Sequence, residues 1–200
     1  MTDAQPSASI RLRDLQLATA HALVAQSLGS EQALREQVPL QYLQNLIDGL
    51  CELSLKDPLT GLPNRRHVGA VLEREIDRVA RSGEGALLLM LDIDHFKRVN
   101  DAHGHQAGDH VLREFGGLLR GNLRATDFAA RYGGEEFVVI LPHTGAEQAW
   151  MFAERLRRIV AKRVFLWQGQ RFRLTASIGA ASLEAGASST RSDLVRQADR

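Results

Sequence analysis

From residue 57 onward, the spacing of apolar side chains changes repeatedly between the period of a helix and that of a strand. Residues 86–93 form an almost continuous apolar run of strand length, which is typical of a strand buried on both faces. Residues 65–81, 106–123 and 146–164 have apolar positions every three or four residues, and we predict an amphipathic helix over each. Residues 192–200 begin a further helix.

Shorter apolar stretches lie on either side of glycine turns and predict strands. Gly133 and Gly134 form a two-residue connection of the kind that closes a hairpin, and Gly169 could close a second one. Helices that alternate with strands around a central hairpin indicate an α/β (α+β) domain of ferredoxin-type β-α-β-β-α-β order. We expect helices to cover one face of its largely antiparallel sheet. The predicted strands are residues 128–132, 136–141, 164–167 and 172–182.

The first 56 residues have a different character, since they are rich in glutamine, alanine and leucine. They predict two helices, over residues 10–28 and 39–55. The second helix either packs on its own domain or forms a dimerising stalk that leads into the next domain. We favour the stalk because no other nearby segment has a matching apolar face. The apolar positions of the second helix are Leu40, Leu43, Leu46 or Ile47, Leu50 and Leu53.

The composition is that of an ordinary globular protein of one or two domains, with 44% hydrophobic and 24% charged residues among 200. A net charge of +1 gives no long-range field to attract nucleic acid, so any polyanion must be held by a local site. The longest apolar run, residues 86–91, is far shorter than the roughly 20 residues of a membrane span. The single cysteine, Cys51, fits a reducing compartment, and we expect a cytoplasmic protein.

Acidic residues cluster at two places where a cation could be held. Asp92 and Asp94 end the buried strand, while Glu135 and Glu136 follow the glycine turn. Carboxylate oxygens suit Mg²⁺, whose coordination is completed by waters and substrate phosphates. Each acid alone could be a solvated strand end. Pairing of the hairpin with the buried strand would bring the two clusters side by side, so together they predict a cation site beside backbone that a phosphate can approach closely.

Asn100 and Asp109 lie between these clusters in the sequence. A guanine edge presents two N–H donors and a carbonyl acceptor, which a carboxylate and an amide complement. From spacing alone, however, Asn100 is an ordinary turn former and Asp109 the N-cap of a following helix. The nearby histidines lack the spacing of a zinc site, and we expect them to be surface or structural residues. These histidines are His95, His103, His105 and His110.

Four motifs follow one another in this part of the chain: DPLTGLPNRR at 57–66, LDIDHFK at 91–97 followed by Asn100, GHQAGD at 104–109 and RYGGEEF at 131–137. In this order they resemble the successive signatures of the GGDEF diguanylate cyclases, and the resemblance extends from Asp57 to Arg200. Glu135 stands where many members carry aspartate, so the chain has the GGEEF variant of the motif that names the family.

The resemblance implies a palm-like domain that condenses two GTP into cyclic di-GMP and two pyrophosphates. Each subunit of a homodimer would hold one GTP, whose 3′-hydroxyl attacks the α-phosphate of the other. Two Mg²⁺ or Mn²⁺ ions per active site are implied, with no nucleophilic side chain needed. The resemblance implies the following roles: Asp92, Glu135, the Ile93 carbonyl and Glu136 for metal, Asn100 and Asp109 for guanine, Phe96 and Lys97 for phosphates, and Gly133 and Gly134 for nucleotide space.

The resemblance also implies a site of product inhibition. Arg124 and Asp127 fit the RxxD motif that grips a cyclic di-GMP dimer, and Arg155 would be a secondary contact. Family members continue beyond the motif corresponding to residues 197–199 into a helix whose lysine and arginine hold GTP phosphates. We therefore expect residues 57–200 to be a catalytic domain shortened at its C-terminal end, which could be weakly active. The alternatives are a catalytically silent cyclic di-GMP receptor and a transferase that uses another nucleotide.

Overall fold

The computed structural model describes residues 17–28, 39–186 and 190–199. The chain divides into two compact units, Met1–Ser54 and Leu55–Arg200. The boundary between them lies two residues before the boundary predicted from the sequence. The start of the first predicted helix, residues 10–16, falls outside the described residues.

The first unit contains helices α1 (Ala18–Leu28) and α2 (Pro39–Leu55). They pack through a small apolar cluster that includes Val24 and Leu46. Gly49 allows this approach, because a Cβ atom at Gly49 would lie 2.6 Å from a methyl group of Val24.

The predicted apolar stripe of α2 is divided between two faces of the helix. Leu46 and Leu50 belong to the cluster shared with α1. Leu40 and Ile47 are 79% and 53% exposed, although both are large and apolar. A helix with apolar side chains on two faces can contact two neighbours, and α1 accounts for one of them.

The second unit is built on a four-stranded antiparallel sheet with the strand order β2–β3–β1–β6. The central position of β1 explains its continuous apolar run, since both edges and both faces of this strand are covered. A separate hairpin, β4–β5, lies outside the main sheet. The strands are β1 (Ala86–Ile93), β2 (Phe128–Gly133), β3 (Glu136–Pro142), β4 (Phe165–Trp167), β5 (Gln170–Phe172) and β6 (Ala176–Leu183).

Helices cover both faces of this sheet, so the expectation that they would cover only one face is wrong. Leu87 and Leu89 of β1 belong to one core with residues of α5 and α6. Leu88 and Met90, which point to the opposite face, belong to a second core with residues of α3 and α7. The helices of this unit are α3 (Arg65–Ser82), α4 (Phe96–His103), α5 (His105–Asn122), α6 (Ala146–Lys162) and α7 (Arg191–Ala198).

Two further elements differ from the sequence prediction. Helix α4 was not predicted, because its eight residues are too few to establish a period. The strand predicted over residues 172–182 is two strands, β5 and β6, separated by residues 173–175. The hairpin closed at Gly169 is confirmed, since β5 pairs with β4.

Candidate active site

The two acidic clusters meet at one end of the sheet. In the antiparallel pairing of β1 with β3, Asp92 lies directly opposite Glu136. Directly opposed residues of antiparallel strands project from the same face, so these two carboxylates are neighbours. Glu135 precedes Glu136 at the end of the glycine turn. The predicted pairing of the hairpin with the buried strand is therefore confirmed.

This arrangement concentrates negative charge around Asp92. Partial burial, followed by repulsion from Glu135 and Glu136, raises the pKa of the Asp92 carboxyl above its ordinary value. A divalent cation would relieve this repulsion, and carboxylates are the ligands that Mg²⁺ prefers. Among the residues that the structure describes, no group of three or more acidic, histidine or cysteine side chains is arranged to hold a metal ion. Asp92 and Glu136 would supply only part of a Mg²⁺ coordination shell, and waters and substrate phosphates would supply the rest.

Asp94 has a different environment from Asp92, although only one residue separates them. The Ser177 hydroxyl donates a hydrogen bond of 2.7 Å to one carboxylate oxygen of Asp94, and the Thr175 hydroxyl donates to the other. Partial burial acts to raise the pKa of Asp94, but these hydrogen bonds outweigh it and hold the pKa below its ordinary value. Both oxygens of Asp94 thus have partners within the protein, and this carboxylate anchors the end of β1 to β6.

The glycine turn is open on its outer side. Gly134 has a φ angle of 40°, which favours glycine, and a Cβ atom there would meet nothing within 4 Å. At Gly133 a Cβ atom would make only an ordinary contact of 3.5 Å with a carboxylate oxygen of Glu136. The backbone at these two glycines is therefore not crowded by neighbouring side chains.

A partly buried ion pair holds this turn, and sequence analysis did not identify it. The guanidinium of Arg131 donates hydrogen bonds of 3.0 and 2.8 Å to the Gly134 carbonyl oxygen. Its third nitrogen lies 3.2 Å from a carboxylate oxygen of Asp57. Thr60 donates to Asp57 from its backbone and its hydroxyl, at 2.8 and 2.7 Å. Although burial alone would raise the pKa of Asp57, the hydrogen bonds from Thr60 and the charge of Arg131 lower it.

The two residues predicted to read guanine lie on adjacent helices. Asn100 is on α4, and Asp109 is on the first part of α5. A Cβ atom at Gly108 would lie 2.0 Å from the side-chain oxygen of Asn100. Gly108 therefore lets the Asn100 amide rest against α5, next to the position of Asp109.

This geometry contradicts the two local interpretations of these residues. Asn100 is inside a helix and not in a turn. Helix α5 begins at His105 with Gly104 as its N-cap, so Asp109 does not cap it. Gly108 had no assigned role in the sequence analysis, because its close contact with Asn100 depends on how α4 and α5 pack.

Phe96 and Lys97, predicted to lie near phosphates, differ in exposure. The Phe96 side chain is buried in the core, so only its backbone could face a ligand. Lys97 is exposed and can present its charge.

A separate cavity of about 510 Å³ brings together Arg124, Asp127 and Arg155. Asp127 accepts a hydrogen bond of 2.8 Å from the backbone N–H of Arg124, which fixes the loop between α5 and β2. Arg155, on α6, donates to the Asn122 carbonyl oxygen at 3.3 Å and lies 5.4 Å from the ring centre of Phe152. Two cationic side chains beside an aromatic ring form a surface suited to a planar anionic ligand.

Residues 54–200 match the family model described as "Diguanylate cyclase, GGDEF domain". The chain belongs to the GGDEF diguanylate cyclase family. The resemblance and the α/β fold predicted from the sequence are thereby confirmed.

Curated relatives of this GGDEF domain include diguanylate cyclase DgcP of Pseudomonas aeruginosa, with 45% identity over 161 residues, or 78% of this chain. The response regulator PleD of Caulobacter vibrioides is 44% identical over 160 residues, or 79% of this chain. The aligned regions make up 24% of DgcP and 35% of PleD, so this chain spans about a quarter to a third of their length.

Solved structures of GGDEF proteins have the same fold. The coiled coil and GGDEF domain of DgcB from Caulobacter crescentus, in complex with c-di-GMP, match with a TM-score of 0.75 and 28% identity, covering 90% of this chain and 91% of the solved chain. Diguanylate cyclase SiaD from Pseudomonas aeruginosa, in complex with its activator SiaC, gives a TM-score of 0.72 and 36% identity, covering 94% of this chain and 71% of the solved chain. In the part of this chain that the structure describes, no helix has the length and apolarity needed to span a membrane.

Proposed function

We propose that this GGDEF protein condenses two GTP molecules into cyclic di-GMP. The observation that carries the proposal is the opposition of Asp92 and Glu136 in a cluster of carboxylates beside an open glycine turn. In each half-reaction a 3′-hydroxyl loses its proton and forms a bond to the α-phosphorus of the other GTP, whose pyrophosphate leaves. The relatives named diguanylate cyclases support this activity.

Asp92 and Glu135, with the Ile93 carbonyl oxygen, would hold Mg²⁺ or Mn²⁺, and Glu136 would be a further ligand. Two ions per active site would neutralise charge on the phosphates and on the attacking oxygen. The raised pKa of Asp92 supports this assignment, because it reflects partial burial and then the charge of Glu135 and Glu136, which a cation would offset.

The nucleotide would be held on both sides of the metal site. Asp109 would accept hydrogen bonds from the two N–H groups of the guanine edge, and Asn100 would complete the recognition. Gly133 and Gly134 would let phosphates approach the backbone, while Lys97 and the backbone of Phe96 would contact them. The packing of Asn100 against Gly108 supports a joint role for the two base-reading residues.

Condensation of two GTP requires two active sites to face each other, so we propose a homodimer. The exposed apolar face of α2, which includes Leu40 and Ile47, supports a dimerising stalk in residues 1–56, followed by a catalytic domain in residues 57–200. Among the described residues Leu40 and Ile47 remain exposed, and we propose that a second copy of α2 covers them.

Product inhibition would occur in the cavity of Arg124, Asp127 and Arg155. Its volume and its two guanidinium groups support binding of cyclic di-GMP, whose phosphates are anionic and whose guanines are planar. Binding there would be separate from the metal site, since none of the residues that line this cavity is one of its ligands.

The test is incubation of the purified protein with GTP and MgCl₂, followed by chromatographic measurement of cyclic di-GMP. We expect product from GTP, none from ATP, and none from Asp92→Asn or Glu135→Gln. A folded protein that binds cyclic di-GMP but makes none from GTP would be a receptor, and product from ATP would indicate a different nucleotide substrate. Either result would overturn the proposal.

A further inference from the structure

We infer that the β4–β5 hairpin is a clamp that holds the two guanine-reading helices in register, with Trp167 and Phe172 as positioning residues. The inference rests on the proposed function in one respect, which is that Asn100 and Asp109 recognise the base. Nothing in the family resemblance assigned a role to this hairpin.

Two aromatic residues of the hairpin, Trp167 and Phe172, each contact a different helix of the base-reading pair. Trp167 packs against His110, with ring centres 5.5 Å apart and an interplanar angle of 37°. His110 immediately follows Asp109 on α5. Phe172 stacks on His103, with ring centres 5.0 Å apart and an angle of 13°. His103 is the last residue of α4, one turn beyond Asn100.

Other contacts anchor the hairpin to the rest of the domain. Phe172 also stacks on Phe165, with ring centres 6.0 Å apart, and Phe165 is fully buried in the core. Arg163, just before β4, forms an ion pair with Glu114 of α5. The hairpin is therefore joined to the core and to α5 independently of its contacts with the two histidines.

The base-reading helices need such support. Helix α4 has only eight residues, and a helix of this length is marginal without tertiary contacts. It is joined to α5 through Gly104, whose φ angle is 84°. Because Asn100 and Asp109 are on different helices, any change of angle at Gly104 alters their separation and hence their fit to a guanine edge.

The same segment of chain reaches the end of β1, next to the proposed metal site. Thr175, three residues after the end of β5, donates a hydrogen bond to Asp94 and accepts one of 3.0 Å from the Asp94 backbone. The chain from Trp167 to Thr175 thus contacts α5, α4 and the end of β1 in succession. This order places the hairpin and its connection along the side of the proposed nucleotide site.

The experiment compares GTP with inosine triphosphate, which lacks only the 2-amino group of guanine. In Trp167→Ala we expect KM for GTP to rise about two- to tenfold, the range for loss of one aromatic pair, with kcat little changed. KM for inosine triphosphate should rise less, so the preference for GTP should fall. Trp167→Phe should restore the preference, because it restores an aromatic contact to His110.

Leu166→Ala is the matched control, because Leu166 is on the same hairpin and is 54% exposed. It should leave both KM values unchanged. His110→Ala tests the same contact from α5, and the double variant His110→Ala/Trp167→Ala should have no larger effect than Trp167→Ala alone. Additive effects of the two substitutions, or a fall in kcat without a change in KM, would overturn the inference.

Calorimetric binding of GTP and inosine triphosphate separates this inference from the proposed activity. If the protein makes no cyclic di-GMP but Trp167→Ala still weakens GTP more than inosine triphosphate, the activity fails and the clamp stands. If the protein binds the two nucleotides equally, there is no base recognition for the hairpin to maintain and the inference fails.

Discussion

Asp57 and Arg131 form an ion pair across 74 residues of sequence, and each side chain is only 16% exposed. Through the same guanidinium, Arg131 holds the carbonyl oxygen of Gly134. The Leu55 carbonyl oxygen accepts a hydrogen bond of 2.8 Å from the Asn64 backbone, which ties the entrance of the domain to the same region. The start of the domain is therefore connected through Asp57 and Arg131 to the glycine turn beside the carboxylates.

Asp57→Asn should weaken this link. A largely buried Arg131 would lose its ionic partner, so we expect a loss of about 1–3 kcal/mol of unfolding free energy at pH 7. The pKa of Asp57 lies below its ordinary value of 3.8 in the folded protein, so this stabilisation is present above that pH and is lost as the pH falls through the lowered pKa. Urea unfolding of both proteins at pH 7 and at pH 3.5 measures the difference, which should shrink at the lower pH.

Asp77→Asn is the control for this experiment, because Asp77 is exposed on α3. It should change stability by no more than about 0.5 kcal/mol. Equal losses in Asp57→Asn and Asp77→Asn would contradict the structural role of the ion pair.

Asp92→Asn should make the metal-free protein more stable. It removes one charge from a directly opposed pair of carboxylates, and relief of this repulsion should raise the free energy of unfolding by about 0.2–1 kcal/mol. Mg²⁺ should raise the melting temperature of the unaltered protein and of Glu184→Gln, whose side chain is exposed after β6. Mg²⁺ should have little effect on the melting temperature of Asp92→Asn. An equal increase in the melting temperature of all three proteins would argue against Asp92 as a ligand.

Gly108→Ala should impair GTP binding without unfolding the protein. The new methyl group would meet the Asn100 side-chain oxygen at 2.0 Å and force it away. Loss of one hydrogen bond to the base corresponds to an increase in KM of about two- to tenfold. Gly117→Ala, on the same helix, meets nothing within 4 Å and should bind GTP normally. Steady-state kinetics of the two variants provide the comparison, and similar KM values would contradict the prediction.

Arg124→Ala should relieve product inhibition. Loss of a charge-assisted hydrogen bond to a phosphate weakens binding by about 10- to 150-fold. Titration of the reaction with cyclic di-GMP should show this increase in the inhibition constant, while the initial rate stays the same. Arg158→Ala is the control, because Arg158 is on α6 outside this cavity and pairs with Glu154. Retained inhibition in Arg124→Ala would exclude this cavity as the inhibitory site.

Ile47→Asp should dissociate the dimer. It would place a charge on the exposed apolar face of α2, where desolvation is costly in a helix pair. Light scattering under reducing conditions, because Cys51 is exposed, should give the mass of a monomer for Ile47→Asp and of a dimer for Gln41→Asp. Activity should fall together with the dimer. A dimeric Ile47→Asp protein would show that another surface mediates association.

The central strand was the most predictable element of the fold. The continuous apolar run of β1 predicts a buried strand, because a strand covered on both faces has no exposed positions for polar residues. The same run already implied cover on both faces, which the one-face expectation overlooked. Helix α4 and the break between β5 and β6 were not predictable, since neither changes the local spacing of apolar residues.

Some residues of the candidate site could be identified from the sequence, whereas others depend on contacts between distant parts of the chain. Asp92 and Glu135 could be proposed from the sequence because carboxylates at strand ends are typical of cation sites. The Asp57–Arg131 pair and the role of Gly108 depend on tertiary contacts, and Asp57 and Arg131 are also common residues with many local functions. Spacing alone favoured a cap at Asp109, but α5 begins at His105 with Gly104 as its N-cap, so Asp109 lies inside the helix.

Helix α5 carries Asp109 near one end and leads at the other end into the loop of Arg124 and Asp127. Its 18 residues correspond to a rod about 27 Å long. Insertion of a single residue between these ends would rotate one relative to the other by about 100°. A change in the length of α5 by less than a whole turn would therefore alter the orientation of the proposed base-reading residue relative to the proposed inhibitory cavity.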